Sequence, residues 1–289
     1  IRDRVLFPME HDYRDALLSG DYSPEDYNSE RLQMGAIKIV ADGSIQGFTG
    51  YLSQPYHTPY HGDPNYRGYA AVPREKLFEQ VEALHRAGYQ IAIHGNGDES
   101  IEDILDAFEA AQRAHPVTDP RMILIHSQMA REDQVARMKD LGITPSFFSA
   151  HTYYWGDRHR DIFMGPERAA TMSPARWAID NGVRFSSHMD TPVTPMLPLQ
   201  AVWSQVHRKS TSGAVLGPEQ RIGVIDALRA VTIDAAWQIF QEDNRGSLEA
   251  GKLADLVVLS GNPVDDPEGM RELQVERTVI GGVTVYRRQ

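Results

Sequence analysis

The sequence predicts an α/β fold of the TIM-type (β/α) barrel class, and three observations lead to this prediction. Short apolar runs alternate with amphipathic helical patterns along most of the 289 residues, an order typical of βαβ units around a parallel sheet. Several of the runs end in a polar side chain, and in such barrels the carboxyl ends of the strands carry the catalytic groups. After Gly246 the pattern changes to short β-rich runs, which predict a small β appendage.

Six apolar runs in the sequence are predicted to be strands. Before the appendage they occupy residues 4–9, 35–41, 90–94, 122–126, 143–149 and 183–187. A closed barrel has eight strands, so these runs predict a barrel that is incomplete at its N-terminus and holds about strands 3 to 8. We assign residues 1–244 to this barrel portion and residues 245–289 to a β-sandwich portion. A barrel without two strands has two open sheet edges, which favours a homo-oligomer.

Helical patterns separate the strand-like runs. The helix after Pro73 has its apolar positions Leu77, Val81 and Leu84 at helical spacing and is followed by Gly88. Further helices are predicted at residues 100–115, 132–141, 174–181 and 218–240. Residues 51–69 and the aromatic stretch 150–167 are predicted to be long loops, which in compact domains are usually functional.

Composition excludes several classes of protein. The formal net charge of −11 and the isoelectric point near 5.4 argue against a nucleic-acid partner and against an anionic membrane surface. The chain has no cysteine, which excludes disulfides and thiolate metal sites. No apolar run has the length of a membrane span, and the first residues do not resemble a signal peptide. We therefore expect a cytoplasmic protein without a membrane partner.

Four side chains that suit a metal site each stand at the end of a different strand-like run. They are Lys38, His94, His126 and Asp190. Because strand carboxyl ends open onto one face of a barrel, these distant residues are expected to meet there. Nitrogen and oxygen ligands without sulfur suit zinc, with manganese, iron or nickel as alternatives.

Each of these residues also has an ordinary structural interpretation. Lys38 either extends its ammonium into water or is buried, has a lowered pKa and takes up CO2 as a carbamate ligand. A single His94 or His126 would more often be a core histidine than a ligand, but equivalent positions on neighbouring strands favour metal binding. Asp190 either begins a turn or binds metal and shuttles a proton.

Other polar and aromatic residues near the strand ends are candidates for substrate contacts. His151, Tyr154 and Trp155 follow the strand at residues 143–149 and would shape an apolar pocket at the mouth. His188 precedes Asp190 by two residues; we assign it to substrate binding, with a role as a further ligand as the alternative. Asp42, at the end of the lysine strand, is in a position to orient a ligand.

Several motifs together resemble amidohydrolase family 3, in the branch of the N-substituted formamide deformylase-like proteins. They are KIVADGSIQGFTGYLS, HGNGD, HSQMAREDQ, SFFSAHTYYWGDRH, HMDTPVTP and GSLEAGKLADLVVLSGNP. The resemblance implies a metal-dependent hydrolase on a TIM barrel, with a β-sandwich built from both chain ends. It implies that Lys38 is the bridging, often carboxylated lysine, that His94 and His126 are imidazole ligands, and that Asp190 binds metal and shuttles the proton.

One feature of that family has no counterpart here. The family's HxH pair ends its first barrel strand, whereas the only early histidine of this chain is His11, in EHDYRD. We therefore expect either the C-terminal part of a longer enzyme, with an N-terminal segment elsewhere, or a truncated relative. The departure puts the second of two metal ions in question.

These observations combine into one functional expectation with two alternatives. We expect a hydrolase of C–N bonds in small-molecule amides (N-formyl or N-acyl amines) that uses a metal-bound hydroxide, with Asp190 as the catalytic residue. One alternative is a cyclic-amide hydrolase or a deaminase on the same fold. The other is a catalytically inactive metal-binding fragment that needs the N-terminal segment.

Overall fold

Six parallel strands form the larger sheet of the protein. The computed structural model describes residues 3–8, 16–29 and 32–289, so His11 and the last residue of the predicted first strand, Met9, lie outside the described residues. The strands are β1 Asp3–Pro8, β2 Leu32–Val40, β3 Ile91–Gly95, β4 Met122–His126, β5 Ile143–Phe147 and β6 Ser186–Ser187. They lie side by side in chain order, and every neighbouring pair is parallel.

The described helices follow the strands as a βα pattern requires. Residues 16–19 are helical, and the helices after β2 are α1 Arg74–Arg86, α2 Asp98–Ala114, α3 Glu132–Leu141, α4 His151–Arg158, α5 Gly165–Thr171, α6 Ala175–Asp180, α7 Pro198–His207, α8 Val224–Ala230 and α9 Ile233–Gln238. Parallel strands with intervening helices fit part of a TIM-type barrel. In the described sheet β1 and β6 stand at the edges, and the expected self-association through such edges stays a prediction.

Three element predictions were wrong in whole or in part. The stretch 150–167 is not a loop, because α4, a π-helical turn at His159–Phe163 and the start of α5 occupy it. The single helix predicted at 218–240 is a 3-10 turn, Pro218–Gln220, followed by the two short helices α8 and α9. The strand predicted at 183–187 pairs only through Ser186–Ser187.

The missed helices share one physical cause. Helix α4 buries His151, Thr152 and Gly156, which are polar or small, so the sequence shows no apolar stripe at helical spacing. Helix α7, which was not predicted, likewise buries Gln200 and Ser204 among its apolar residues. Hydrophobic periodicity detects only helices whose buried face is apolar.

The two faces of the sheet are packed differently. Ile37 and Ile93 point outwards into the main apolar core beneath the helices. Ala36, Ala92 and Ile125 point to the opposite, inner face and form a smaller cluster with Ile239. Because side chains alternate along a strand, Lys38 and His94 belong to the inner face, with Ala36 and Ala92 respectively.

The C-terminal region forms a separate antiparallel sheet, as its β-rich pattern predicts. Its strands are β7 Leu256–Leu259, β8 Val275–Ile280 and β9 Val283–Arg287. Gly281 and Gly282 join the last two strands with positive φ angles of 56° and 81°, the backbone that a tight hairpin turn requires. The division at residue 245 and a complete β-sandwich stay predictions. Within the described residues, no helix has the length and apolar character needed to cross a membrane.

Candidate metal centre

The ends of three neighbouring strands bring three of the four predicted ligands to one place. Val40 pairs with His94 between β2 and β3, and Gly95 pairs with His126 between β3 and β4. Lys38 lies two residues before Val40, so with roughly 4.8 Å between strands its Cα lies about 8 Å from that of His94. Side chains at this spacing reach a common point above the inner face.

His126 reaches this point through an unusual backbone conformation. Its ladder partner Gly95 faces outwards, because a Cβ at that position would meet Ile104 of α2. Strict alternation would therefore turn His126 towards the helices. Instead its φ angle is 70°, in the left-handed region that non-glycine residues seldom adopt, and its ring centroid lies 4.5 Å from that of His94.

His188 joins the two imidazoles. Its ring centroid lies 4.9 Å from that of His126 and 5.3 Å from that of Phe148. Burial, followed by the charges of Lys38 and His94, lowers the pKa of His188 to about 3. Burial and the neighbouring histidines likewise hold the pKa of His126 well below its ordinary value. Both rings are therefore neutral at physiological pH, which is the form that binds metals.

Lys38 lies in the same environment. Burial lowers the pKa of its amine from 10.5 to about 8, and the nearby carboxylate of Asp190 opposes this shift. The charge of Lys38 also contributes to the low pKa of His126 and of His188. A larger share of the amine is therefore neutral near pH 8 than for a surface lysine.

Asp190 stands on the rim of the centre rather than inside it. Its side chain is exposed, and its backbone has a φ angle of 51°. The Val193 amide donates a hydrogen bond to the Asp190 carbonyl at 2.7 Å, which closes the turn after β6. The structure thus places Asp190 near enough to act electrostatically on Lys38 while leaving its carboxylate open to solvent.

Asp42 organises the backbone beside His94. Its fully buried carboxylate accepts hydrogen bonds from the amides of Tyr51, Asn96 and Gly97 at 3.0, 2.9 and 2.8 Å. One of its oxygens also lies 3.3 Å from Nδ1 of His94. Asp42 therefore links the end of β2, the loop after it and the end of β3.

The predicted substrate residues form an aromatic wall next to the histidines. His151 is buried rather than at the mouth, because it begins α4 and packs on Phe148 with 4.1 Å between ring centroids. It lies 6.1 Å from the ring of His126. Trp155, half-buried on the same helix, lies 5.7 Å from the rings of both His151 and Tyr154.

Sequence reasoning missed a buried pair behind His126. The side-chain amide nitrogen of Gln128 lies 3.0 Å from Nε2 of His159, and neither side chain is exposed. Burial lowers the pKa of His159 to about 3. The available signal was the polar residue Gln128, two positions after the strand-end His126 in the motif HSQMAREDQ.

The side chains present fit a cation that prefers nitrogen and oxygen. Nδ1 of His126 and Nε2 of His188 are buried and have no hydrogen-bond partner among the described residues, which is uncommon unless a further group binds there. Two imidazoles on one tetrahedral zinc ion have ring centres roughly 5 Å apart, close to the 4.5 and 4.9 Å observed.

Unmodified side chains alone do not complete this site. Across the ranges 3–8, 16–29 and 32–289, no group of three or more His, Cys, Asp or Glu residues has the arrangement of a metal site. Of the two predicted ligands besides His94 and His126, Asp190 is exposed at the rim and Lys38 is an ammonium when protonated, which repels cations. A carbamate on its nitrogen would replace that positive charge with two oxygen donors.

Comparison with known proteins identifies the family of this chain. The sequence profile described as the amidohydrolase family matches residues 12–286. The chain is 33% identical over 266 residues to an N-substituted formamide deformylase of Arthrobacter pascens, covering 92% of this chain and 47% of that protein. It is 30% identical over 273 residues to the putative amidohydrolase YtcJ of Bacillus subtilis, covering 91% and 49% respectively.

A solved structure supports this relationship. The crystal structure of an uncharacterized metal-dependent hydrolase from Pyrococcus horikoshii superposes with a TM-score of 0.78 at 26% sequence identity. The match covers 93% of this chain and 52% of that chain. The present chain thus spans about half the length of the relatives that it matches.

Proposed function

Because the chain belongs to the amidohydrolase family, we propose that it carries the site of a metal-dependent hydrolase of C–N bonds in N-formyl or N-acyl amines. The observation that carries this proposal is the convergence of Lys38, His94 and His126 at the ends of neighbouring strands. The 4.5 Å approach of the two imidazole rings requires a strained backbone at His126, and such strain tends to occur at functional sites.

The ligands in this proposal are Lys38, His94, His126 and Asp190. Lys38 would act as a carbamate: its neutral amine adds to CO2, a C–N bond forms, and one proton leaves to solvent. The lowered pKa of Lys38, about 8, supports this step because only the neutral amine reacts. A bound divalent cation, zinc or a related metal, would polarise the substrate carbonyl and make water more acidic.

Asp190 is the proposed proton carrier. Water adds to the carbonyl carbon, the carboxylate of Asp190 takes up a proton, and the same proton passes to the leaving nitrogen as the C–N bond breaks. The overall reaction converts one amide and one water into one carboxylic acid and one amine. The exposed position of Asp190 at the rim suits this role, because the group must reach both water and substrate.

The substrate class follows from the aromatic wall and from the relatives. Tyr154 and Trp155, both partly exposed beside the buried ring of His151, would offer ring surface to an apolar substituent on the amide nitrogen. Aromatic linings of this kind are common in small-molecule pockets. The Arthrobacter relative is named for N-substituted formamides, a group of amides that combine a small acyl group with such a substituent. We therefore propose N-substituted formamides as the first substrates to test.

The test measures metal and product separately. Purified protein is analysed for bound metal by mass spectrometry, and release of amine and formate from N-benzylformamide is followed with and without added Zn²⁺. Lys38→Met is expected to lose both metal and hydrolysis. Lys76→Met is the matched control, because Lys76 is a surface lysine paired with Glu79 on α1.

Other outcomes would contradict the proposal in defined ways. Ring opening of cyclic ureides without formamide hydrolysis would replace it by a cyclic-amide hydrolase, and release of ammonia from aminopurines would replace it by a deaminase. Bound metal with no hydrolysis of any amide would indicate an inactive metal-binding chain. Full activity of Lys38→Met would remove the proposed centre altogether.

A further inference from the structure

The segment that carries His126 is held in a conformation that its residues do not favour by themselves. Both His126 and Ser127 have positive φ angles, 70° and 45°. A non-glycine residue in this region is strained and persists only where its surroundings impose it. Contacts of the following residues must therefore determine where the ring of His126 lies.

Three backbone and hydroxyl contacts contribute to this restraint. The hydroxyl of Ser127 donates to the Leu124 carbonyl at 3.0 Å. The Met129 amide donates to the Asn96 carbonyl at 2.9 Å, and the Ser173 amide donates to the Gln128 carbonyl at 2.7 Å. These bonds fix the main chain on both sides of Gln128.

One side-chain contact links this segment to a distant helix. The amide nitrogen of Gln128 lies 3.0 Å from Nε2 of His159, a residue 31 positions away. An amide nitrogen only donates, so Nε2 of His159 is the acceptor and the ring is neutral. Neutrality agrees with the pKa of His159, which burial lowers to about 3.

His159 is itself rigidly placed. Its side chain has no exposed surface, and its ring lies between those of His151 and Phe163, at 5.9 and 5.6 Å. Its carbonyl accepts a hydrogen bond from the Met164 amide at 2.8 Å, at the end of the π-helical turn. A fixed partner of this kind can restrain a flexible side chain such as that of Gln128.

We propose that the hydrogen bond between Gln128 and His159 is a latch that positions His126 in the metal centre. His159 is thus a positioning residue: it does not touch metal or substrate, but its loss would let the 126–129 segment relax towards ordinary backbone angles. The inference rests on the proposed function only in taking His126 as a metal ligand. Outer contacts of metal ligands are typically worth a tenfold to hundredfold change in metal affinity.

The first experiment compares variants of the latch. Affinity for Zn²⁺ is measured by competition with a chromogenic chelator. His159→Leu should weaken it roughly tenfold, whereas His159→Gln, which retains a hydrogen-bonding group, should restore most of it. Gln128→Leu should resemble His159→Leu, and the double variant should show no further loss, because both changes remove the same bond.

A matched control exists elsewhere in the chain. The buried His85 on α1 places its Nε2 3.2 Å from Oε1 of Gln112 on α2, so His85→Leu removes a comparable imidazole–glutamine contact. It lies outside the metal centre and should leave Zn²⁺ affinity unchanged. If His85→Leu and His159→Leu weaken binding equally, general destabilisation explains both and the latch is refuted.

A second readout needs no metal. In metal-free protein, His159→Leu should speed hydrogen exchange of the Met129 and Ser173 amides by about tenfold relative to wild type and to His85→Leu, because their partners belong to the latched segment. Unchanged exchange at both amides would overturn the inference. Wild-type protein that binds no metal would defeat the proposed function, while the exchange data would still decide on the latch.

Discussion

The rings of His94 and His126 lie 4.5 Å apart, although the strand register assigns the two residues to opposite faces of the sheet. His94 is on the inner face with Ala92, whereas the partner of His126 in the ladder, Gly95, faces the helices. The positive φ angle of His126 removes this conflict. The centre therefore depends on one local departure from regular strand geometry.

Stability of the metal-free protein should depend on pH through Lys38. Its pKa is about 8 in the folded chain and 10.5 as the ordinary value, so the folded state binds fewer protons between these limits. The free energy of unfolding should therefore rise by at most about 3 kcal/mol through Lys38 as the pH increases from 8 to 10.5. The same contribution is lost as the pH decreases to 8. Urea unfolding of wild type and Lys38→Met at pH 8 and 10 measures the difference. Parallel pH profiles would show that Lys38 is not buried as described.

Asp190→Asn should separate catalysis from folding. The amide cannot accept and return a proton, so kcat should fall roughly a hundredfold to ten-thousandfold, with at least one metal ion retained through the other ligands. Asp180→Asn, at an exposed carboxylate paired with Arg176, is the control and should behave as wild type. Steady-state kinetics together with metal analysis test this. A fully active Asp190→Asn variant would remove Asp190 from the mechanism.

Gly97→Ala should disturb the support of His94. A Cβ at Gly97 would overlap the backbone of Tyr51, and overpacking of this kind typically costs about 1–3 kcal/mol or more. Because the Gly97 amide also donates to Asp42, metal affinity should fall together with stability. Gly223→Ala, where the nearest atom of Asp226 is 3.3 Å away, should cost less than about 1 kcal/mol. Denaturant unfolding and chelator competition check both variants. If Gly97→Ala were as stable as Gly223→Ala, the close contact between Gly97 and the Tyr51 backbone would be contradicted.

Trp155→Ala should act on substrate binding rather than on chemistry. Removing the indole takes away ring surface beside His151, so KM for N-benzylformamide should rise by about tenfold, while KM for N-methylformamide should change little. The value of kcat should stay near wild type for both substrates. Loss of kcat for both would indicate instead that Trp155 supports the fold of α4.

Much of the strand pattern was accessible to sequence reasoning because β3, β4 and β5 are buried on both faces. The predictions for β4 and α3 agree with the observed bounds, residues 122–126 and 132–141, since their apolar content and stop signals are local properties. The helices α4 and α7 were missed because they bury polar side chains. The hydrophobic pattern of a sequence does not show which polar side chains will be buried and hydrogen-bonded after folding.

The amino-acid sequence by itself determined which residue types end each strand, and therefore that Lys38, His94 and His126 stand at neighbouring positions of a parallel sheet. Only the tertiary structure decided that His126 turns inwards and that His188 lies against it. It also decided that the side chain of Gln128, two residues after His126, meets the ring of His159. Backbone angles and long-range hydrogen bonds depend on elements far apart in the chain, whereas hydrophobic pattern depends on near neighbours alone.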